Sequence, residues 1–232
     1  MIEDPLGGLA VRLLDRFEGD GPHVVGIGGA VAVGKSTVAE GLARRLHVLG
    51  RRVEIVATDA FLYPNAVLAE RGLLMRKGFP ETYDFGTMVR VVRELRSGGR
   101  AEVAVYSHEA YDIVPGEVQV IEGADLVLLE GIVALQPPVV DELDASIYID
   151  AAEADVREWY VARFLTLAEA AGEGSFYGVF AGMAPDEVRA VAEATWEEIN
   201  GVNLREHIAP SRTHATFVVL KGRDHSVSEV VG

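Results

Sequence analysis

The chain contains no cysteine, which excludes disulfide bonds, thiol catalysis and zinc sites built from cysteine. Basic residues are also few: 21 Lys and Arg stand against 36 Asp and Glu, so the formal net charge is −15. An excess of negative charge repels nucleic acid and anionic membrane surfaces. We therefore expect neither as a partner, and any polyanion must be bound at a local site.

Long hydrophobic runs are absent as well. The longest uncharged apolar stretch near the N-terminus, residues 24–34, is too short to span a bilayer. The opening residues MIED lack the basic character of a secretory signal. We expect a cytoplasmic protein, a compartment that fits the lack of cysteine. With 232 residues, no internal repeat and no Pro- or Ser-rich linker, the sequence predicts a single domain over 1–232.

Hydrophobic patterns alternate between strands and helices along the chain. Continuous apolar runs predict strands at 23–29, 53–58, 125–131, 145–150 and 215–221. Helical spacing of apolar residues predicts an opening helix, placed within 1–22, and further helices at 35–49, 87–96, 154–169 and 186–200. This alternation predicts an α/β fold with a mostly parallel sheet flanked by helices.

Residues 29–36 satisfy the pattern G-x-x-x-x-G-K-[ST], between a predicted strand and a predicted helix. Backbone N–H groups of such a loop surround phosphate oxygens, aided by the partial positive charge at the helix N-terminus. We expect Lys35 to reach the β- and γ-phosphates of ATP and Ser36 to bind Mg²⁺. The alternative is a glycine-rich turn that matches by chance. The predicted nucleotide-binding residues are Gly29, Ala30, Val31, Ala32, Val33, Gly34, Lys35, Ser36 and Thr37.

Two acidic residues end predicted strands where parallel sheets collect ligands. Neither an N-K-x-D motif nor an L-S-G-G-Q-like motif is present, which favours a P-loop kinase over a GTPase or a transport ATPase. Asp59 is the candidate catalytic base, with a helix cap or a loop residue as the alternative. Glu130 is the candidate Mg²⁺ ligand, through water, unless it is a buried acid without that role.

The segment 165–185, rich in Gly and Ala, predicts a mobile lid between two helices. Arg163 enters this lid, with Tyr160 on the same helix face, and would stabilise charge on the transferring phosphoryl group unless it is merely solvated. Phe176 lines a ligand cavity or packs the lid down. His108 is a candidate ligand contact or a hydrogen-bonded structural residue.

Seven segments together resemble bacterial type I pantothenate kinase, a group related to phosphoribulokinases and uridine kinases. In chain order they are GGAVAVGKST, TDAFLYPN, ERGLLMRKGFPETYD, YSHEAYD, LLEGIVALQ, EWYVARF and WEEINGVNL. The resemblance runs from about Val24 to Val230. It implies phosphorylation of the primary hydroxyl of pantothenate with MgATP, the first step toward coenzyme A, by a homodimer.

Residue roles follow from the resemblance position by position. Asp59 is implied as the base, with Lys35, Ser36 and Arg163 handling phosphates and metal. The residues implied around pantothenate or an overlapping regulatory ligand are Lys77, Tyr106, His108, Tyr111, Tyr160 and Asn200, joined by Phe176. We also expect His225 to border the adenine.

Several residues depart from the resembled pattern and keep other functions open. Leu167 and Phe176 stand where Phe and Tyr are typical, Gly201 replaces an aromatic residue, and His207 replaces Asn. The alternatives are a kinase of another small alcohol, such as a nucleoside, glycerate or a specialised metabolite, or a nucleotide-binding regulator without turnover.

Glu40 is a further departure, on the helix that follows the phosphate loop. It stands where the resembled family has an arginine that binds a phosphate of coenzyme A, a competitor of ATP. A carboxylate there repels the phosphate, so we predict weak inhibition by coenzyme A unless Glu40 is a solvated surface residue.

Overall fold

The fold is built around a six-stranded sheet. A computed structural model describes residues 4–17, 19, 21–172 and 174–232. In chain order the strands are β1 (His23–Gly29), β2 (Val53–Ala57), β3 (Ala101–Ser107), β4 (Asp112–Ile121), β5 (Leu126–Glu130), β6 (Ala145–Asp150), β7 (Phe217–Lys221) and β8 (Val227–Val231). The six-stranded sheet has the order β2-β5-β1-β6-β7-β8, and its first five strands are parallel. β8 pairs antiparallel with β7 at one edge, and β3 and β4 form a separate antiparallel hairpin.

Helices cover both faces of the large sheet. In chain order the α-helices of the described residues are α1 (Pro5–Arg16), α2 (Lys35–Val48), α3 (Asn65–Glu70), α4 (Phe85–Arg96), α5 (Glu153–Glu169), α6 (Pro185–Thr195) and α7 (Gly201–Asn203). Alternate residues of β1 point to opposite faces, so Val25 and Ile27 join a core with α1, α2 and α5. Val24 joins the second core with α4. The predicted α/β fold with a mostly parallel, helix-flanked sheet is confirmed.

The five predicted strands are all present, within two residues of their predicted ends. β8 and the hairpin were not predicted, because none of their strands has a continuous apolar run and β4 and β8 expose much of their surface. The helix predicted at 186–200 is α6 followed by the π-helical segment Trp196–Asn200, whereas the short α3 and the π-helical segment Leu204–Ile208 were not predicted.

The predicted opening helix is shorter than expected, and the predicted lid contains more regular structure than expected. Helix α1 covers only Pro5–Arg16 of the predicted 1–22 region, of which residues 1–3, 18 and 20 lie outside the described residues. Within the predicted lid at 165–185, the first five residues belong to α5 and Phe176–Phe180 form a 3₁₀ turn. In the part of the chain that the structure describes, no helix is long and apolar enough to cross a membrane.

Candidate active site

The glycine loop connects β1 to α2, as its sequence pattern predicts. Gly34 has a φ of 88°, a left-handed conformation that glycine adopts without strain, and α2 begins at the next residue. At Gly29, a Cβ atom would lie 2.6 Å from the carbonyl oxygen of Ile149 on β6. Both glycines of the motif are therefore required by the backbone, and the loop N–H groups precede a helix N-terminus.

A cavity of about 470 Å³ opens beyond the carboxyl ends of the parallel strands. It brings together most of the predicted site residues, namely Val31, Ala32, Lys35, Ser36, Asp59, Lys77, Tyr106, His108, Tyr111, Glu130, Tyr160, Arg163, Phe176 and Asn200. The remaining loop residues Gly29, Ala30, Val33, Gly34 and Thr37 are not among its lining residues, and neither is His225. Residues from distant parts of the chain thus converge on one space beside the phosphate loop.

The loop end of the cavity contains a cation, a hydroxyl and a carboxylate. Lys35 Nζ donates to the carbonyl oxygen of Ala30 at 2.9 Å. Burial lowers the pKa of Lys35, and the charges of Glu130 and Asp59 oppose this shift. The Ser36 hydroxyl donates to Oε1 of Glu130, the last residue of β5, at 2.9 Å. This pair of oxygens lies side by side next to the lysine.

Asp59 lies in a 3₁₀ turn, Thr58–Phe61, directly after β2. The hydroxyl of Tyr83 donates to Asp59 Oδ1 at 3.3 Å. Burial first, and then the charge of Asp59, raise the pKa of Tyr83 well above its usual value, so the phenol stays protonated and remains a donor. Sequence analysis assigned no role to Tyr83, although it belongs to the quoted segment that ends in YD. The Tyr83 hydrogen bond orients the Asp59 carboxylate.

Lys77, which also lines the cavity, is almost fully buried. Its ammonium donates to Asn65 Oδ1 at 2.6 Å and to the Tyr111 carbonyl at 2.5 Å. It also lies over the rings of Tyr106 and Tyr111, 5.0 and 4.4 Å from their centroids. Burial lowers the pKa of Lys77 to about 8, against the opposing charges of Asp112 and Asp59.

The segment predicted as a lid contacts the turn of the β3–β4 hairpin. The rings of Phe176 and Tyr111 stack with centroids 4.1 Å apart, and the N–H of Phe176 donates to the Glu109 carbonyl at 3.0 Å. Arg163 is exposed on α5 and lines the cavity, and no side-chain hydrogen bond or ion pair to another described residue engages it. Its guanidinium is free to face a ligand.

His225 lies outside the cavity, on the turn between β7 and β8. Its exposed ring stacks on Trp159, with centroids 4.1 Å apart. Nearby, Lys221 at the end of β7 donates to the Val33 carbonyl of the phosphate loop at 3.0 Å. Lys221 was not predicted as a site residue, because an isolated lysine at a strand end belongs to no motif. A cation and an aromatic pair therefore flank the outer side of the loop.

The residues that depart from the resembled pattern divide into two groups. Leu167 and Phe176 line the cavity, whereas Gly201 and His207 do not. Glu40 is exposed on α2, with Oε2 3.9 Å from the Arg44 guanidinium. Asn203, which sequence analysis did not select, lines the cavity and donates from Nδ2 to the Gly78 carbonyl at 2.9 Å.

Comparisons with known proteins agree with this geometry. Residues 24–162 match the model of the Phosphoribulokinase / Uridine kinase family. A pantothenate kinase of Myxococcus xanthus is 47% identical over 230 residues, covering 90% of this chain and 71% of that protein. One of Sorangium cellulosum is 47% identical over 232 residues, covering 94% of this chain and 74% of that protein.

The fold itself recurs in more distant kinases. A D-glycerate 3-kinase from Cryptococcus neoformans superposes with a TM-score of 0.70 at 15% identity, covering 97% of each chain. Similarity at that identity concerns the fold alone. The identity to the bacterial relatives and the family match carry the assignment: the chain belongs to the phosphoribulokinase/uridine kinase family, within its pantothenate kinases, and is an ATP-dependent small-molecule kinase.

Proposed function

We propose that this kinase transfers the γ-phosphoryl group of MgATP to the primary hydroxyl of pantothenate, the first step toward coenzyme A. The observation that carries the proposal is the single cavity that joins Asp59 and Lys35 to the residues implied in acceptor binding. Relatives named pantothenate kinase, 47% identical over about 90% of this chain, support the same acceptor.

Residues of the phosphate loop hold the nucleotide. Their N–H groups and the N-terminus of α2 bind the phosphates, and Lys35 adds a positive charge. Adenine stacks on the exposed face of His225, whose other face lies on Trp159. The predicted loop residues Gly29, Ala30, Val31, Ala32, Val33, Gly34 and Thr37 form this cradle.

Ser36 and Glu130 would hold Mg²⁺. A hydroxyl and a carboxylate oxygen, 2.9 Å apart beside the phosphate loop, are the hard oxygen donors that this ion prefers, so the residues present fit it. The ion supplies neutralisation of the phosphate charge when bound.

Asp59 is the catalytic base of the proposed reaction. The acceptor oxygen bonds to the γ-phosphorus, the bond from that phosphorus to the bridging oxygen breaks, ADP leaves, and the acceptor proton passes to the Asp59 carboxylate. The Tyr83 hydroxyl donates to this carboxylate and orients it. Arg163 closes over the transferring group and stabilises its charge in the transition state.

The acceptor lies between the hairpin, α5 and the π-helical segment Trp196–Asn200 that follows α6. Pantothenate has hydroxyls, an amide and a carboxylate, so it needs several hydrogen-bond partners and one positive charge. Lys77 supplies the charge. The other proposed contacts are Tyr106, His108, Tyr111, Tyr160, Phe176 and Asn200.

One specific observation favours a second candidate. Leu167 and Phe176, which depart from the resembled pattern, both line the cavity, so the acceptor wall differs from that pattern. A kinase of another small alcohol, such as glycerate or a nucleoside, is therefore the competing proposal.

ADP release measured with pantothenate, pantetheine, uridine, glycerate and ribulose phosphate tests both proposals. The highest kcat/KM with pantothenate supports the first, and a higher kcat/KM with another acceptor supports the second. Tight ATP binding without turnover of any alcohol would instead indicate a nucleotide-binding regulator. Lys35→Ala serves as the control variant, because its loss removes the loop cation and must abolish enzymatic ADP release.

We also propose that the kinase is a cytoplasmic homodimer, on the strength of the family resemblance. Sedimentation equilibrium of the purified chain tests this oligomeric state, since a monomer mass of 25.0 kDa at micromolar concentration would contradict it.

A further inference from the structure

The turn of the β3–β4 hairpin holds a residue in an unfavourable backbone conformation. Tyr111 has a φ of 53°, in the left-handed region that a bulky side chain rarely occupies. Such strain persists only where surrounding contacts enforce it. Tyr111 also lines the cavity and stacks on Phe176, so its backbone conformation sets the position of a wall of the site.

Two side chains from outside the hairpin hold the carbonyl group of this residue. Asn65 Nδ2 donates to the Tyr111 carbonyl oxygen at 2.9 Å, and Lys77 Nζ donates to the same oxygen at 2.5 Å. Lys77 also donates to Asn65 Oδ1 at 2.6 Å, which closes a triangle of hydrogen bonds. Only one orientation of the Asn65 amide satisfies both contacts, with oxygen toward the ammonium and nitrogen toward the carbonyl.

The neighbouring backbone is tied to the same place. Asp112 Oδ1 accepts from the N–H of Asn65 at 3.0 Å and from the N–H of Ile113 at 2.8 Å. The first residue of α3 is therefore joined by polar contacts to the Tyr111 carbonyl and to the residue that follows Tyr111. Asn65 itself is not among the residues that line the cavity, so it acts on the site through the two lining residues that it contacts, Tyr111 and Lys77.

We propose that Asn65 is a positioning residue: with Lys77 it clamps the Tyr111 carbonyl and so fixes the hairpin turn on which Phe176 and the lid rest. The clamp preorganises the acceptor end of the cavity and leaves the phosphate loop unaffected. This inference rests on the proposed function only in naming pantothenate as the acceptor. The contacts within the clamp exist whichever alcohol binds.

Asn65→Asp tests the clamp without a change of size. A carboxylate oxygen then replaces Nδ2 and faces the Tyr111 carbonyl oxygen with no hydrogen between them, while the bond to Lys77 is kept. Ala66→Asp is the matched control, because it adds the same charge at the next position, which is exposed. Asn65→Ser, a milder change, replaces Asn65→Asp in every measurement should the aspartate variant fail to fold.

Hydrogen exchange followed by mass spectrometry reads the clamp directly. In Asn65→Asp we expect amides of residues 107–113 and 174–180 to exchange about tenfold faster than in the wild type, which equals about 1.4 kcal/mol of opening free energy. Ala66→Asp should leave both segments unchanged. Unchanged exchange in Asn65→Asp, or equal acceleration in the two variants, would overturn the proposal.

Steady-state kinetics provides the second measurement. The KM for pantothenate should rise about tenfold in Asn65→Asp, while kcat and the KM for ATP stay within about twofold of the wild type. A fall in kcat together with a rise in the KM values for both pantothenate and ATP would indicate general destabilisation and contradict a local positioning role. Failure of the wild type to phosphorylate pantothenate would refute the proposed function alone, because hydrogen exchange tests the clamp without substrate.

Discussion

Asp59→Asn removes the proposed proton acceptor and almost nothing else. The side chains have the same shape, and the asparagine oxygen still accepts the Tyr83 hydrogen bond that holds Asp59 at 3.3 Å. Lys35 remains hydrogen-bonded to the Ala30 carbonyl, 2.9 Å away on the loop side. Nucleotide binding should therefore survive, with a KM for ATP within a few-fold of the wild-type value.

The expected loss lies in the phosphoryl-transfer step. A positioned base contributes about 10²- to 10⁴-fold to rate, which corresponds to about 2.7–5.5 kcal/mol of activation free energy. The neighbouring phenol cannot take over as base. Burial, the largest cause, raises the pKa of Tyr83 well above its usual value even without the Asp59 charge, so Tyr83 keeps its proton at neutral pH and cannot accept another.

Single-turnover kinetics with saturating pantothenate measures the chemical step separately from product release. Asp141→Asn is the matched control, since it removes one negative charge from an exposed position and should leave the rate unchanged. A near-native rate for Asp59→Asn would refute the assignment of the base. Glu130, which lines the same cavity, would then be the carboxylate to test.

Arg163→Ala should lower kcat more than it raises the KM for ATP, because its charge acts mainly in the transition state; an effect on KM alone would demote it to ground-state binding. The KM for pantothenate should rise above pH 8 as Lys77, whose pKa burial lowers to about 8, loses its charge, and Lys77→Met should abolish this dependence between pH 7 and 9.5. Leu42→Ala, which empties a fully buried site, should cost about 2–5 kcal/mol in urea unfolding, and Val48→Ala at an 87% exposed site of the same helix less than about 0.5 kcal/mol. Coenzyme A should compete weakly with ATP, and Glu40→Arg should strengthen that inhibition in a series with varied ATP; strong inhibition of the wild type would contradict the electrostatic argument.

The β3–β4 hairpin could not be predicted from the hydrophobic pattern of the sequence. Tyr106, His108 and Tyr111 belong to a recognisable segment, yet no apolar periodicity predicted the two strands that end in and flank it. Much of strand β4 is exposed, so polar residues interrupt its apolar residues and no continuous hydrophobic run is present. Asn65, 46 positions before Tyr111, contacts its carbonyl through a packing arrangement that no local spacing encodes.

The sequence by itself determined the strand–loop–helix of the phosphate site and the α/β order of elements. These features depend on local physics: glycines allow the left-handed turn at Gly34, and continuous apolar runs mark strands that are covered on both faces. Tertiary structure alone decided that Tyr83 supports Asp59, that Lys221 reaches the loop, and that Lys77 is held by Asn65. The contacting residues lie 12, 24 and 188 positions apart, and no local spacing encodes these contacts because they depend on how the connections at the carboxyl edge of the sheet pack.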